Sequence, residues 1–101
     1  MSKTVKVAPV SEITPKTPKI IEVDGAQIAV FNVNGEFCAI NNVCPHRGGP
    51  LGEGDLEGTL VTCPWHGWQF DVKTGQSPVN PAAAVKTFAC KVEGSDVCVE
   101  V

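Results

Sequence analysis

The chain has 101 residues, 43% hydrophobic and 19% charged, with 8 Lys and Arg against 11 Asp and Glu and a formal net charge of −3. This length suits a single domain over 1–101 that buries about 65% of its unfolded surface, and the acidic balance argues against nucleic acid as the principal partner. The opening run from Met1 to Val7 has no apolar signal region, and no stretch approaches the roughly 18 apolar residues of a membrane span. A cytoplasmic monomer with no membrane anchor is expected.

Taken in chain order, the pattern is all-β. Thr14-Pro15-Lys16-Thr17-Pro18 reads as an exposed connection. The β-rich runs Lys19–Val23 and Ala26–Val33 meet at Asp24-Gly25, and Asn34-Gly35 leads into Glu36–Asn41. Two hairpin signals therefore occur in succession. Two Gly- and Pro-rich loops follow, and Pro81-Ala82-Ala83-Ala84 has the composition of one short turn. A third hairpin closes the chain, with strands over 85–92 and 96–101 separated by Glu93-Gly94-Ser95 and with Val97, Val99 and Val101 alternating toward one face. The expected architecture is an antiparallel β sandwich or barrel base, formed by 1–41 and 80–101, carrying an inserted two-loop subdomain near 42–79.

The two loops carry the chemistry. Cys44-Pro45-His46 is followed, after sixteen residues, by Cys63-Pro64-Trp65-His66, and His46 and His66 are the only histidines. Two Cys and two His can ligate zinc, or hold an iron–sulfur cluster in which histidines replace two cysteines on one iron. Zinc fingers generally pair their cysteines on one knuckle and their histidines on a helix, whereas here each loop offers one of each, which favours the cluster. A zinc-bound interaction module is the weaker alternative.

At these residues the chain resembles the Rieske family, whose C-x-H and C-x-x-H loops are matched at every ligand position, with specific likeness over 29–88. The resemblance implies one [2Fe-2S] cluster, with Cys44 and Cys63 on the inner iron and His46 and His66 on the outer, surface-facing iron. Such a core is formally neutral when oxidised, so reduction adds a single negative charge and the potential lies within about −150 to +300 mV. Gly48, Gly49, Gly52 and Gly67 are expected to let backbone N–H groups approach sulfur, or else simply to form turns.

The departures from the respiratory type matter as much. Gly49 and Trp65 stand where that type carries two disulfide-forming cysteines, and Trp68 and Phe70 stand where it carries hydroxyl donors; the chain has no Tyr. Missing donors leave charge on the cluster less stabilised and lower the potential. The run Cys63-Pro64-Trp65-His66-Gly67-Trp68-Gln69-Phe70-Asp71 is similar to the low-potential ferredoxins of bacterial oxygenases. The resemblance thus implies an electron carrier rather than an enzyme, passing single electrons from a flavin-dependent NAD(P)H reductase to a terminal ring-hydroxylating oxygenase. Its alternative is the small Rieske subunit of an assimilatory nitrite reductase, bound to a large subunit.

Several residues offer themselves for cluster cover or docking. Trp65 and Trp68 flank His66, with packing the safer reading of Trp68. The segment Ser77-Pro78-Val79-Asn80-Pro81 resembles the family's proline-rich third loop. Arg47 follows a ligand and is expected to pair with a carboxylate or touch a partner. Glu53, Asp55 and Glu57 form an acidic run that either steers a basic partner or is a solvated hairpin. Cys38, Cys90 and Cys98 are expected to be buried thiols, with Cys90 and Cys98 opposed only if their loop is of odd length.

Overall fold

The computed structural model describes residues 4–14, 17–43, 49–65, 67–78 and 84–100. Thr4–Pro9 forms β1 and leads through a 3₁₀ turn, Val10–Glu12, toward Lys19–Val23 (β2). Asp24 and Gly25 then take positive φ values of 50° and 85°, which reverse the chain into Ala26–Val33 (β3). Asn34 and Gly35 repeat the device at 52° and 91° before Glu36–Asn41 (β4). Paired positive φ angles give a turn whose twist matches right-twisted strands, so both expected hairpins form where they were read. Three short strands follow, Asp55–Glu57 (β5), Leu60–Thr62 (β6) and Gln69–Asp71 (β7), and the chain ends in the hairpin of Thr87–Glu93 (β8) and Asp96–Glu100 (β9).

The strands make two antiparallel sheets. Six are ordered β1-β9-β8-β4-β3-β2, and the end strands β1 and β2 touch, so this sheet curls toward a barrel. The other three are ordered β5-β6-β7 and lie, in sequence, between β4 and β8. The β3–β4 hairpin is the wall between two cores. Ile28, Val30 and Ala39 face the barrel interior with Ala8, Ile13, Val97 and Val99. Ala29, Phe31, Cys38 and Ile40 face the other way, against Leu51, Val61, Cys63, Phe70 and Val72 of the smaller sheet. Residues 28–31 are all fully buried for this reason, and their sequence reads as an unbroken apolar run instead of an alternation.

Two expectations need adjustment, and the conditional pairing of Cys90 with Cys98 is decided. The strand read over 85–92 begins at Thr87, because the Val85 N–H donates to Gly75 O (2.8 Å) and holds that residue in a loop neck. Cys90 lies opposite Val99 and Cys98 opposite Lys91, since the β8–β9 turn has two residues and the two thiols fall on opposite faces. Cys38 and Cys98 are buried as expected, but Cys90 is only half-buried. Val97 and Val99 do point together into the barrel core. The turn read at Pro81 to Ala83 lies outside the described residues.

Candidate functional site

The first loop leaves β4 through a tied neck. Asn41 Oδ1 accepts the Val43 N–H (3.0 Å), Val43 pairs with Pro50 in a single antiparallel bridge, and the Leu51 N–H donates to Asn42 O (2.7 Å). The second loop is closed on one residue: the Cys63 N–H donates to Trp68 O (2.7 Å), while Cys63 O accepts the Gly67 N–H (3.0 Å). A third neck joins Gln76 to Ala84 by an antiparallel bridge, supported by the Asp71 N–H donating to Gln76 O (2.8 Å). Each loop is therefore short, closed at its base and anchored on a strand end.

These anchors bring the first loop's return limb against the second. A Cβ placed on Gly49 would lie 2.7 Å from Cys63 Sγ and 3.1 Å from Trp65 Cγ, so only glycine lets this backbone rest on the sulfur. Cys63 is 2% exposed and lies in the core shared with Leu51, Val61 and Phe70. Trp65 beside it is 57% exposed, whereas Trp68 packs onto that core with its ring centroid 6.4 Å from that of Phe70. The safer reading of Trp68 holds, and Trp65 is left as an apolar surface next to the sulfur.

Two glycines do something other than reach for sulfur. The Gly52 N–H donates to Asn42 Oδ1 (2.6 Å), and the Gly67 N–H is committed to Cys63 O. Gly67 is required by its φ of 74°, with open space where a Cβ would stand. Turn formation accounts for Gly67. Of the remaining site residues, Cys44, His46, Arg47, Gly48, His66 and Pro81 lie outside the described residues. Pro78 is exposed and borders Leu60, Asp71 and Gln76, at the end of β6 and β7 away from Cys63. Glu53, Asp55 and Glu57 are all exposed, the last two on one face of edge strand β5.

A buried sulfur under a glycine backbone is a fitting seat for a thiolate-ligated metal group, which leaves no space for a side chain at that point. Residues 3–89 match the Rieske [2Fe-2S] domain. The chain belongs to the Rieske [2Fe-2S] family. Membership brings with it one [2Fe-2S] cluster as the cofactor. The ferredoxin component of a naphthalene 1,2-dioxygenase system from Pseudomonas aeruginosa is 36% identical over 81 residues, covering 79% of this chain and 78% of that protein. A chain from the complex of reduced oxygenase and oxidised ferredoxin in carbazole 1,9a-dioxygenase superposes with a TM-score of 0.86 at 33% identity, over 94% of this chain and 99% of its own length. A Mycobacterium tuberculosis protein described as a putative NADH-dependent nitrite reductase small subunit shares the fold at a TM-score of 0.89 and 21% identity, over 100% of this Rieske chain and 96% of that one.

Sequence reasoning passed over Asn42. It is 2% exposed, and its side chain bonds to both Gly52 and Gln27. The only signal was the pair Asn41-Asn42 immediately before a ligand motif, which by itself reads as turn chemistry. Burial, and then the neighbouring Cys38, push the Cys90 thiol up to about 12, and burial followed by Glu36 raises that of Cys38.

Proposed function

We propose that this Rieske protein is a one-electron carrier between a flavin-dependent NAD(P)H reductase and a terminal ring-hydroxylating oxygenase. The observation that carries the reading is the buried Cys63 sulfur beneath Gly49 and beside exposed Trp65, in a chain matched over most of its length by dioxygenase ferredoxin components. Cys44 and Cys63 hold the inner iron, and His46 and His66 the outer iron. When bound, the cluster supplies a reversible one-electron couple. The protein's own residues do the rest. Gly49 brings backbone to the sulfur, Trp65 offers a contact surface for the partner, and the tied loop necks hold the ligands in place through the redox change.

The chain works as one domain over 1–101, with a cluster-binding subdomain at about 42–79 on a base of 1–41 and 80–101. Among the described residues no helix is long and apolar enough to cross a membrane, and the cytoplasm, where flavin reductases and their NAD(P)H are found, is the proposed location. The fold likeness to a nitrite reductase small subunit favours a second reading, in which the chain is a fixed part of a larger enzyme. Metal and acid-labile sulfide analysis, followed by size determination after native purification, tests these. Two irons and two sulfides on a free monomer that a reductase turns over support the carrier. A stable large partner supports the subunit, and one zinc without sulfide would refute both.

A further inference from the structure

We propose that Asn42 is the positioning residue that sets the first ligand loop against the Cys63 sulfur, and thereby governs how firmly the cluster is held. The inference rests on the reading of residues 44–48 as a ligand loop. Asn42 spends every polar group it has on this junction. Its backbone N–H donates to Gln27 O (2.9 Å) and its carbonyl accepts the Leu51 N–H (2.7 Å). Its side-chain Oδ1 accepts the Gly52 N–H (2.6 Å), and its Nδ2 donates to Gln27 Oε1 (3.0 Å). The orientation of the carboxamide is dictated by chemistry. A backbone N–H can only donate, so oxygen must face Gly52 and the NH₂ must face Gln27.

One residue thus links three pieces of chain: β3 through Gln27, the outgoing limb through its own backbone, and the returning limb through Leu51 and Gly52. The link is stiff. A Cβ on Gly52 would stand 2.5 Å from Ile20 Cγ1 and 2.9 Å from Asn42 Oδ1, so the return limb lies close between Ile20 and the carboxamide, with no space for a side chain. Three residues back along that limb is Gly49, whose backbone rests on Cys63 Sγ and the Trp65 ring. A change in height at Gly52 is passed to Gly49 through Pro50 and Leu51, the first bridged to Val43 and the second fully buried. At 2% exposure water cannot replace the lost partner of Gly52.

The test uses the cluster-loaded protein and three variants. Asn42→Leu keeps the branched skeleton of the side chain but removes both of its hydrogen bonds; Gln27→Ala removes only the partner of Nδ2 at an exposed position; Val97→Ala opens the barrel core, remote from the loops, as a control for general destabilisation. Cluster loss to a chelator, visible circular dichroism, the reduced EPR spectrum and thermal unfolding are read on each. Asn42→Leu should lose its cluster roughly tenfold faster than wild type, the factor expected for a buried donor left unsatisfied, with altered dichroism and EPR. Gln27→Ala should fall between, and Val97→Ala should unfold at lower temperature with wild-type release and spectra. Wild-type release and spectra in Asn42→Leu, at the stability of Val97→Ala, would overturn the proposal. If Asn42→Leu does not accumulate, Asn42→Ser, which replaces the carboxamide with a hydroxyl of shorter reach, decides by the same readings. A wild-type protein that binds no cluster at all would instead overturn the ligand-loop reading, and this inference with it.

Discussion

Replacing Gly54 by Ala isolates what close approach is worth at the site. Gly54 has φ −81° and ψ 171°, a conformation open to any residue, so its backbone does not require glycine. Its surroundings do: a Cβ there would collide with the Thr62 carbonyl, on the strand that pairs with β5 and runs directly into Cys63. To admit a methyl group β5 and β6 must part. Overpacking of this kind costs about 1–3 kcal/mol, and a weakened ladder bond adds about 1 kcal/mol. For a domain of this size the sum lowers the melting temperature by on the order of 10–25 °C. Gly58, four residues on, is the internal control. It has φ 63° and nothing within 4 Å of a Cβ, so Gly58→Ala costs about 1 kcal/mol of backbone strain and Gly58→Asn less, because Asn tolerates the left-handed region. Scanning calorimetry of the three variants, with visible spectra of the loaded proteins, should rank Gly54→Ala as most damaged and the only one with a perturbed cluster spectrum. Equal melting temperatures for Gly54→Ala and Gly58→Ala would refute the steric argument.

Other outcomes can be checked separately. Trp65→Ala should weaken complex formation with the reductase or oxygenase by about 30-fold, the scale of an aromatic hot spot, with the midpoint potential unchanged by voltammetry. Charge reversal at Glu53 and Asp55 should slow association measured by stopped flow at low salt and lose its effect as ionic strength rises, since exposed charges are screened over about 8 Å at physiological salt. The midpoint potential should lie near the low end of the Rieske range, about −150 mV; a value above about +100 mV would contradict the inference from Gly49, Trp65, Trp68 and Phe70. The Cys90 thiol, held protonated to about 12 in the folded chain against 9.0 as its ordinary value, binds its proton more tightly folded than unfolded. Its contribution is therefore complete below pH 9 and declines between pH 9 and 12 by up to about 1.4 kcal/mol per pH unit. Denaturant titrations at pH 8 and 10.5 should show a shallower loss in Cys90→Ala than in wild type.

Features that depend on near neighbours in the chain were legible without coordinates. Asp24-Gly25 and Asn34-Gly35 specify their turns because positive φ is a property of those residues, and the hairpin bounds of β2, β3 and β4 follow directly. The Cys44-x-His46 and Cys63-x-x-His66 spacings identify the family because metal ligation constrains residue type and separation together. Other features were set by residues remote in sequence. Strands β5, β6 and β7 have three residues each, too few to display a period, and they exist because their inner faces complete a core begun by Ala29, Phe31 and Ile40. Gly49, Gly52, Gly54 and Gly67 look alike along the chain. Their distinct roles, against Cys63 Sγ, Asn42 Oδ1, the Thr62 carbonyl and a left-handed φ, appear only when those partners are brought within contact. Asn42 is the clearest case: as a letter it suggests a turn, and its place as the knot between β3 and both limbs of the first loop is a product of burial, which removes water as a partner and makes every hydrogen bond at that point depend on tertiary geometry.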